Sequence, residues 1–302
     1  MGLINIAFHP IYQLPLPSKH RFPMEKYDLL PKQLIYEGTC NAEDFFSPIA
    51  AEQSVVERIH DPDYVKKLLE LHLNKKEVRK IGFPLSKQLI EREFIIAGGT
   101  IQGAVKAIDS GMAMNIAGGT HHAFKSHGEA FCLLNDQAIA AQYLLDNKLA
   151  NNILIIDLDV HQGNGTAKIF ESNPKVFTFS MHGKKNYPFQ KEQSNLDLEL
   201  EDNCSDDEFI NSLKKVLPKL IDELKPDFIF YLSGVDVLET DKLGRIGMTI
   251  DGCKKRDVYV FEQCKLHDIP VQCSMGGGYS EDLKIIIDAH ANTFRSAKDI
   301  FD

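Results

Sequence analysis

The sequence has few of the features that would send a chain into a membrane, out of the cell or onto nucleic acid. No apolar run approaches the roughly 20 residues that cross a bilayer. The opening residues Met1–Ile6 lack the basic region of a secretory signal, and a myristoylation motif at Gly2 would need Ser or Thr where Ile6 stands. The six cysteines are scattered and form no Cys-x-x-Cys pair, which argues against a zinc ribbon or a disulfide framework and predicts reduced thiols in a cytoplasmic protein. Basic charge is in deficit: 34 Lys and Arg against 43 Asp and Glu leave a net charge of -9. A general nucleic-acid binder needs a basic surface, so that class is disfavoured, while a cationic substrate or partner stays open. Solenoid repeats, low-complexity tracts and evident linkers are also missing, and the 302 residues are expected to form a single domain over 1–302.

What is present is an alternation of strands and helices. Strands are expected at 3–8, 113–117, from 153, at 176–182, 228–233 and 271–275, with one short strand in the acidic segment 194–206. Helices are expected near 24–34, 52–58, 62–73, 85–109, 135–146, 166–172, 206–224, 251–266 and 281–297. Asp61 can cap the helix that Pro62 opens. Gly98, Gly99 and Gly103 each cost about 1 kcal/mol inside a helix, which predicts that they allow close packing on the sheet. The proline-rich stretch His9–Tyr27 reads as a long ordered loop, in which Arg21 is either a surface charge or a pocket-lining one. This alternation predicts an α/β fold, a three-layer α/β/α arrangement with a mainly parallel central sheet. Ligands bind outside the carboxyl ends of the strands in such sheets, and polar residues follow four of the expected strands.

The centre of the pattern is the stretch from Ile153 to Gly165. It opens with an apolar run and closes with Gly163-Asn164-Gly165, which reads as a turn. Asp157, Asp159 and His161 alternate along it, so a persisting strand would place all three on one face. Buried acids and a histidine need charge compensation, and a metal ion would supply it. Asp159 and His161, joined by Asp236 after the strand at 228–233, have the oxygen and nitrogen donors of a catalytic zinc site with three protein ligands and one open position. Iron(II) could fill the same ligands. A site with two aspartates acidifies its water less than a tris-histidine site, so a separate base is of use. His121 and His122 after Gly118-Gly119 are the candidates. Asp157 and Asn164 are placed to orient the two imidazoles. Tyr279 after Gly276-Gly277-Gly278 could donate to a developing oxyanion.

The blocks Gly118-Gly-Thr-His-His-Ala123, Asp157-Leu-Asp-Val-His-Gln-Gly-Asn-Gly165, Gly234-Val-Asp-Val-Leu238 and Gly276-Gly-Gly-Tyr279 resemble the signature blocks of the histone deacetylase superfamily. Asn164, Asp241-Lys-Leu-Gly244 and His20–Tyr27 look most like its class IV branch and bacterial relatives. The resemblance covers nearly the whole chain. It implies the arginase/deacetylase fold and a zinc-dependent amide hydrolase acting on an acylated lysine in a peptide or protein, or alternatively on a small acetylated amine such as an acetylpolyamine. Asp159, His161 and Asp236 would bind the metal, His122 would be the general base with His121 assisting, and Tyr279 would stabilise the oxyanion. Phe131 would form one wall of a substrate tunnel and Tyr187 the other. Structural potassium or sodium would sit at Asp157, Asp159, His161, Ser180 and Met181, with a second ion near Phe170, Asn173 and Val176.

Two departures stand out. Many members of that family carry aspartate where this chain has Asn164, and a neutral amide stabilises a charged His122 less than a carboxylate would. The region Gly82-Phe83-Pro84 offers no match for the rim aspartate that holds substrate backbone in other classes. A two-metal ureohydrolase is disfavoured because Gly163, Val237 and Leu238 replace the bridging aspartates it needs. A catalytically dead binding module is disfavoured because His122 and Tyr279 are both retained.

Overall fold

The computed structural model describes residues 4–302. Met1, Gly2 and Leu3 lie outside the described residues, and with them the expectation about Gly2 and the first residue of the 3–8 strand. Among the described residues eight strands form one sheet: β1 Asn5–Ala7, β2 Phe45–Phe46, β3 Met112–Asn115, β4 Ile153–Asp157, β5 Val176–Gly183, β6 Leu196–Leu200, β7 Phe228–Leu232 and β8 Val271–Ser274. Their order is β2-β1-β3-β8-β7-β4-β5-β6, and every pairing is parallel. The sheet is therefore wholly parallel, which sharpens the expectation of a mainly parallel one. All five residues of β4 and of β7 are buried. Both faces of these strands are covered, which is why their sequences are continuous apolar runs rather than alternating ones.

The helices among the described residues are α1 Lys26–Tyr36, α2 Gln53–Val56, α3 Pro62–Leu69, α4 Lys75–Ile81, α5 Lys87–Ser110, α6 Asp136–Asp146, α7 Asn164–Phe170, α8 Asp206–Leu224, α9 Ile250–Leu266 and α10 Leu283–Phe301. They pack in two groups, α5 with α6 and α2 in one and α1, α8, α9 and α10 in the other, giving the three-layer α/β/α fold. Helix ends follow local chemistry. The Ser86 hydroxyl accepts from the Leu89 amide to start α5, and Gly111 ends it at φ 80°. Asn135 caps α6 by accepting from the Ala138 amide.

Several expectations are corrected. β4 stops at Asp157, so Asp159 and His161 are loop residues beyond the strand and do not alternate along one strand face. Asn164 is the first residue of α7, not part of a turn, with Gly163 at the cap. The helix expected over 62–73 stops at Leu69, because Leu71 turns left-handed at φ 57°. β2 and α4 were not anticipated, although Asn74 and Glu77 form a reciprocal cap at the start of α4. Gly99 does pack on the sheet: a Cβ there would lie 3.0 Å from the Asn115 amide and 3.2 Å from Ala7. Gly98 instead faces a loop, where a Cβ would meet the Ile49 carbonyl at 1.9 Å.

Candidate active site

β3, β8, β7 and β4 are consecutive in the sheet, and the four candidate polar segments follow these four strands. Hydrogen bonds tie the segments together past the strand ends: Leu158 N–H to Leu232 O at 3.2 Å, Val235 N–H to Gly277 O at 2.9 Å, and Gly276 N–H to Gly118 O at 3.4 Å. The sheet therefore delivers chain segments far apart in sequence to one place.

Asp159, His161 and Asp236 are all buried, and one ligand atom from each lies within 4.8 Å of the others. His161 Nδ1 stands 3.0 Å from Asp159 Oδ1 and 3.1 Å from Asp236 Oδ2. The remaining carboxylate lone pairs are held by backbone donors. Gly277 N–H reaches Asp159 Oδ2 at 2.9 Å, and Val160 N–H reaches Asp236 Oδ1 at 3.0 Å. A Cβ on Gly277 would lie 2.0 Å from Asp236 Oδ2, so only glycine allows this approach. Burial opposes a charge on His161, yet its hydrogen bonds to Asp159 and Asp236 and their charges push it up to about 10. Asp236 is pushed up to about 7 by burial and by the charge of Asp159. Two buried carboxylates that draw a proton onto the imidazole between them mark a place for a cation. The donor set, two oxygens and one nitrogen, fits zinc or iron(II).

His121 and His122 are buried beside this cluster, with ring centroids 4.1 Å apart. Positive φ at Gly118 (85°) and Gly119 (75°) turns the chain so that both rings face inward. His121 Nδ1 is 2.6 Å from Asp157 Oδ2, and His122 Nδ1 is 2.6 Å from Asn164 Oδ1. Burial opposes charge on His121, but the Asp157 and Asp159 charges outweigh it and raise its pKa. Burial, together with the charges of His121 and His161, holds His122 well below the usual histidine range. The pair is thus split: one imidazole favours its charged form and the other is neutral, a division of environments expected where proton transfer is done.

Tyr279 packs 6.4 Å from the His161 ring and 6.0 Å from Phe131. Burial and the charges of Asp236 and Asp159 push its phenol well above 10, so it is a proton-bearing donor. A cavity runs from Phe22, Phe83 and Phe131 down to Asp159, His161 and Gly277. The Phe131 ring lies 5.1 Å from Phe22 and 5.2 Å from Phe83. Phe131 has φ 68°, and its N–H and that of Ala130 bond to the Ile81 and Lys80 carbonyls at the end of α4, which fix this strained corner. Tyr187 meets His122 edge-on at 5.0 Å and is not among the residues lining the cavity. Arg21 is exposed, with its guanidinium 5.0 Å over the Phe131 ring; it does not line this cavity but a neighbouring one formed by residues 13–25 with Lys242 and Tyr279–Glu281.

The remaining expected residues are placed as follows. Asp157 and Ser180 are register partners on β4 and β5, next to Met181. Phe170, Asn173 and Val176 form the turn from α7 into β5, with Asn173 N–H bonded to Phe170 O at 2.9 Å. Residues not foreseen include Lys26, fully buried, whose Nζ lies 3.2 Å from Gly276 O and 5.7 Å over the Tyr279 ring. Burial pulls it down to about 8. Arg256, Glu129 and Lys80 were also missed. None of them carries a local spacing signal, because the site segments they hold (Gly276 for Lys26, Leu158 and Gly234 for Arg256, Asn164 for Glu129) are far away in the chain.

The model of the histone deacetylase domain matches residues 20–294. The chain belongs to the histone deacetylase family. An uncharacterised protein of Picosynechococcus sp. is 42% identical over 98% of this chain and 99% of its own length. Histone deacetylase 2 of Arabidopsis thaliana is 26% identical over 98% of this chain and 79% of its own. Among solved structures, an HDAC homolog complexed with SAHA aligns with TM-score 0.84 and 24% identity over 98% of this chain and 84% of that one. The HDA15 HD domain aligns with TM-score 0.82 and 19% identity over 99% and 88%. These two likenesses establish the fold. Family membership makes the chain a hydrolase of the deacetylase type. No helix of the described residues is long and apolar enough to cross a membrane.

Proposed function

We propose that residues 1–302 form one cytoplasmic catalytic domain that hydrolyses the acetyl amide of lysine side chains in peptides or proteins, with zinc held by Asp159, His161 and Asp236. The observation that carries this reading is the convergence of Asp159, His161, the histidine pair and Tyr279 on one cavity lined by Phe22, Phe83 and Phe131, with Asp236 buried beside the first two. A cavity that combines aromatic rings with convergent polar groups suits an aliphatic stem that ends in an amide.

Bound in this site, zinc would polarise the acyl carbonyl and acidify water beside it. The chain's own residues supply the rest. His122, neutral, takes the proton of the attacking water at Nε2, since Nδ1 is engaged by Asn164. His121, held by Asp157, whose carboxylate favours the charged imidazole, offsets the negative charge that builds up on the substrate. The Tyr279 phenol donates to the oxyanion. His122 then returns its proton to the leaving lysine amine. The Phe22, Phe83 and Phe131 rings exclude water from the lysine stem. Structural monovalent cations at the Asp157/Ser180 and Phe170/Asn173/Val176 positions belong to the same reading. So does placement in the class IV branch, supported by Asn164.

The Arg21 charge at the Phe131 rim opposes a second cationic group on the substrate, which favours acetyl-lysine over an acetylpolyamine. A panel of acetyl and longer acyl-lysine peptides and acetylpolyamines, run with zinc-loaded and iron(II)-loaded protein, tests the assignment. Peptide hydrolysis that a hydroxamate blocks and Asp159→Asn abolishes is expected. Full activity in Asp159→Asn would overturn the metal site, and turnover restricted to acetylpolyamines would overturn the substrate.

A further inference from the structure

The Asn164 amide meets a second side chain on its far side. Its Nδ2 lies 2.8 Å from Glu129 Oε1. Glu129 is buried, yet it gathers donors from three directions: Asn164, the Lys80 ammonium that reaches it from the half-exposed end of α4, and the Tyr187 phenol beside His122. Burial opposes its charge, but these three hydrogen bonds hold the carboxyl below the ordinary glutamate range. An ionised carboxylate only accepts hydrogen bonds. The Asn164 NH2 group must therefore face Glu129, and its oxygen must face His122. That oxygen can only accept, so the proton of neutral His122 sits on Nδ1 and the lone pair on Nε2.

We infer that Glu129 is a positioning residue, which fixes the orientation of the Asn164 amide and through it the His122 tautomer that can act as a base. The inference rests on the proposed role of His122. A carboxylate at position 164 would accept from His122 directly and would have no wrong way round. An amide has two ends, and something outside it must choose between them. Glu129 makes that choice here, with Lys80 securing its charge, and by holding Tyr187 it ties the same choice to the neighbouring aromatic ring.

The chemistry predicts a specific pattern among variants. In Glu129→Gln, one amide oxygen replaces the carboxylate before three donors. The Gln NH2 group then competes for the Asn164 oxygen, and Asn164 can turn its own NH2 group toward His122. In Asn164→Asp alone, two carboxylates face each other across the 2.8 Å contact, which they cannot do without a shared proton. In the double variant every group is matched. Asp at 164 accepts from His122 Nδ1–H and from the Gln NH2 group, and the Gln oxygen accepts from Lys80 and Tyr187.

The test is ¹⁵N-histidine NMR of zinc-loaded protein, together with hydrolysis of an acetyl-lysine peptide. The wild type is expected to show His122 as the single Nδ1–H tautomer. Glu129→Gln is expected to show the Nε2–H form and to lose about 10–100-fold in kcat with zinc retained. The double variant Glu129→Gln/Asn164→Asp is expected to return to within about threefold of wild-type kcat, whereas Asn164→Asp alone stays low, by the orienting role of an outer partner. Should Glu129→Gln fail to fold, Glu129→Asp, which withdraws the charge by one methylene, is read in the same way. An unchanged Nδ1–H tautomer in the Glu129 variants, or no rescue in the double variant, overturns the inference. A tautomer change in Tyr187→Phe would assign the effect to the aromatic ring and overturn it equally. If the wild type hydrolyses no acyl-lysine peptide, the proposed function fails, and the NMR result still decides the role of Glu129.

Discussion

Arg256 donates from one guanidinium nitrogen to the Gly234 carbonyl at 2.7 Å, two residues before Asp236. The same nitrogen reaches the Leu158 carbonyl, next to Asp159, at 3.1 Å, and its twin reaches Ser233 O at 3.2 Å. One buried side chain thus clamps the two loops that carry the carboxylates of the candidate metal site. Arg256→Met removes the clamp and leaves Asp257 buried without its ion-pair partner. A stability loss of about 3–5 kcal/mol is expected from stranding such a charge. Urea unfolding of the metal-free and zinc-loaded proteins measures it, and an unchanged midpoint in both would refute the role.

Asp236→Asn keeps the shape of a candidate ligand and removes its charge. Outer partners of metal ligands typically contribute 10–100-fold to affinity, so loss of a ligand itself is expected to weaken zinc binding by more than about 100-fold. Competition with a chelator of known affinity reads this without any substrate. Affinity equal to wild type would remove Asp236 from the site.

His122→Ala and Tyr279→Phe separate proton transfer from oxyanion stabilisation. The first is expected to lower kcat by about 10²–10⁴-fold and the second by about 10²–10³-fold, both with zinc content unchanged. A Tyr279→Phe variant that changed only KM would show that the phenol contacts the substrate and not the oxyanion.

His60 gives a prediction about acid stability. It is buried, with Nδ1 2.9 Å from Phe124 O and Nε2 accepting from the Asn135 amide at 2.9 Å. Burial lowers its pKa from 6.5 to about 4, only partly offset by its backbone hydrogen bonds. The unfolded chain takes up a proton below 6.5 that the folded chain refuses. The neutral contact is therefore fully stabilising above pH 6.5 and is lost as pH falls from 6.5 toward 4, by about 3 kcal/mol in all. His60→Gln should flatten the stability profile in that window. A profile with the same slope in both proteins would count against this.

The parts of the molecule legible in sequence are those written in neighbouring residues. The runs Ile153–Asp157 and Phe228–Leu232 read as buried strands because both faces of each are covered, and the polar segments after them mark the strand ends. The donors Asp159, His161 and Asp236 were legible because buried charge next to apolar runs needs an explanation. Other features resisted for a physical reason. Asn164 opens a helix whose cap residue, Gly163, has no side chain to accept from the first amides, so the start of α7 carries no local signal. Glu129, Lys80 and Arg256 take their meaning from partners that only the folded sheet brings near. α4 was overlooked although Asn74 and Glu77 announce it, and its loss from view hid the support beneath Phe131.

The strand order has a consequence for how the molecule comes into being. β8, the last strand in the chain, lies between β3 and β7 and is the sole link between β2-β1-β3 and β7-β4-β5-β6. Without Val271–Ser274 the two half-sheets share no strand pairing and meet through the packing of α5 on α6. The Gly277 amide that meets Asp159, the clasp between the halves and Tyr279 all arrive in the same closing step. Closure of the sheet at β8 therefore also completes the surroundings of Asp159, whose Oδ2 accepts from the Gly277 amide just beyond that strand.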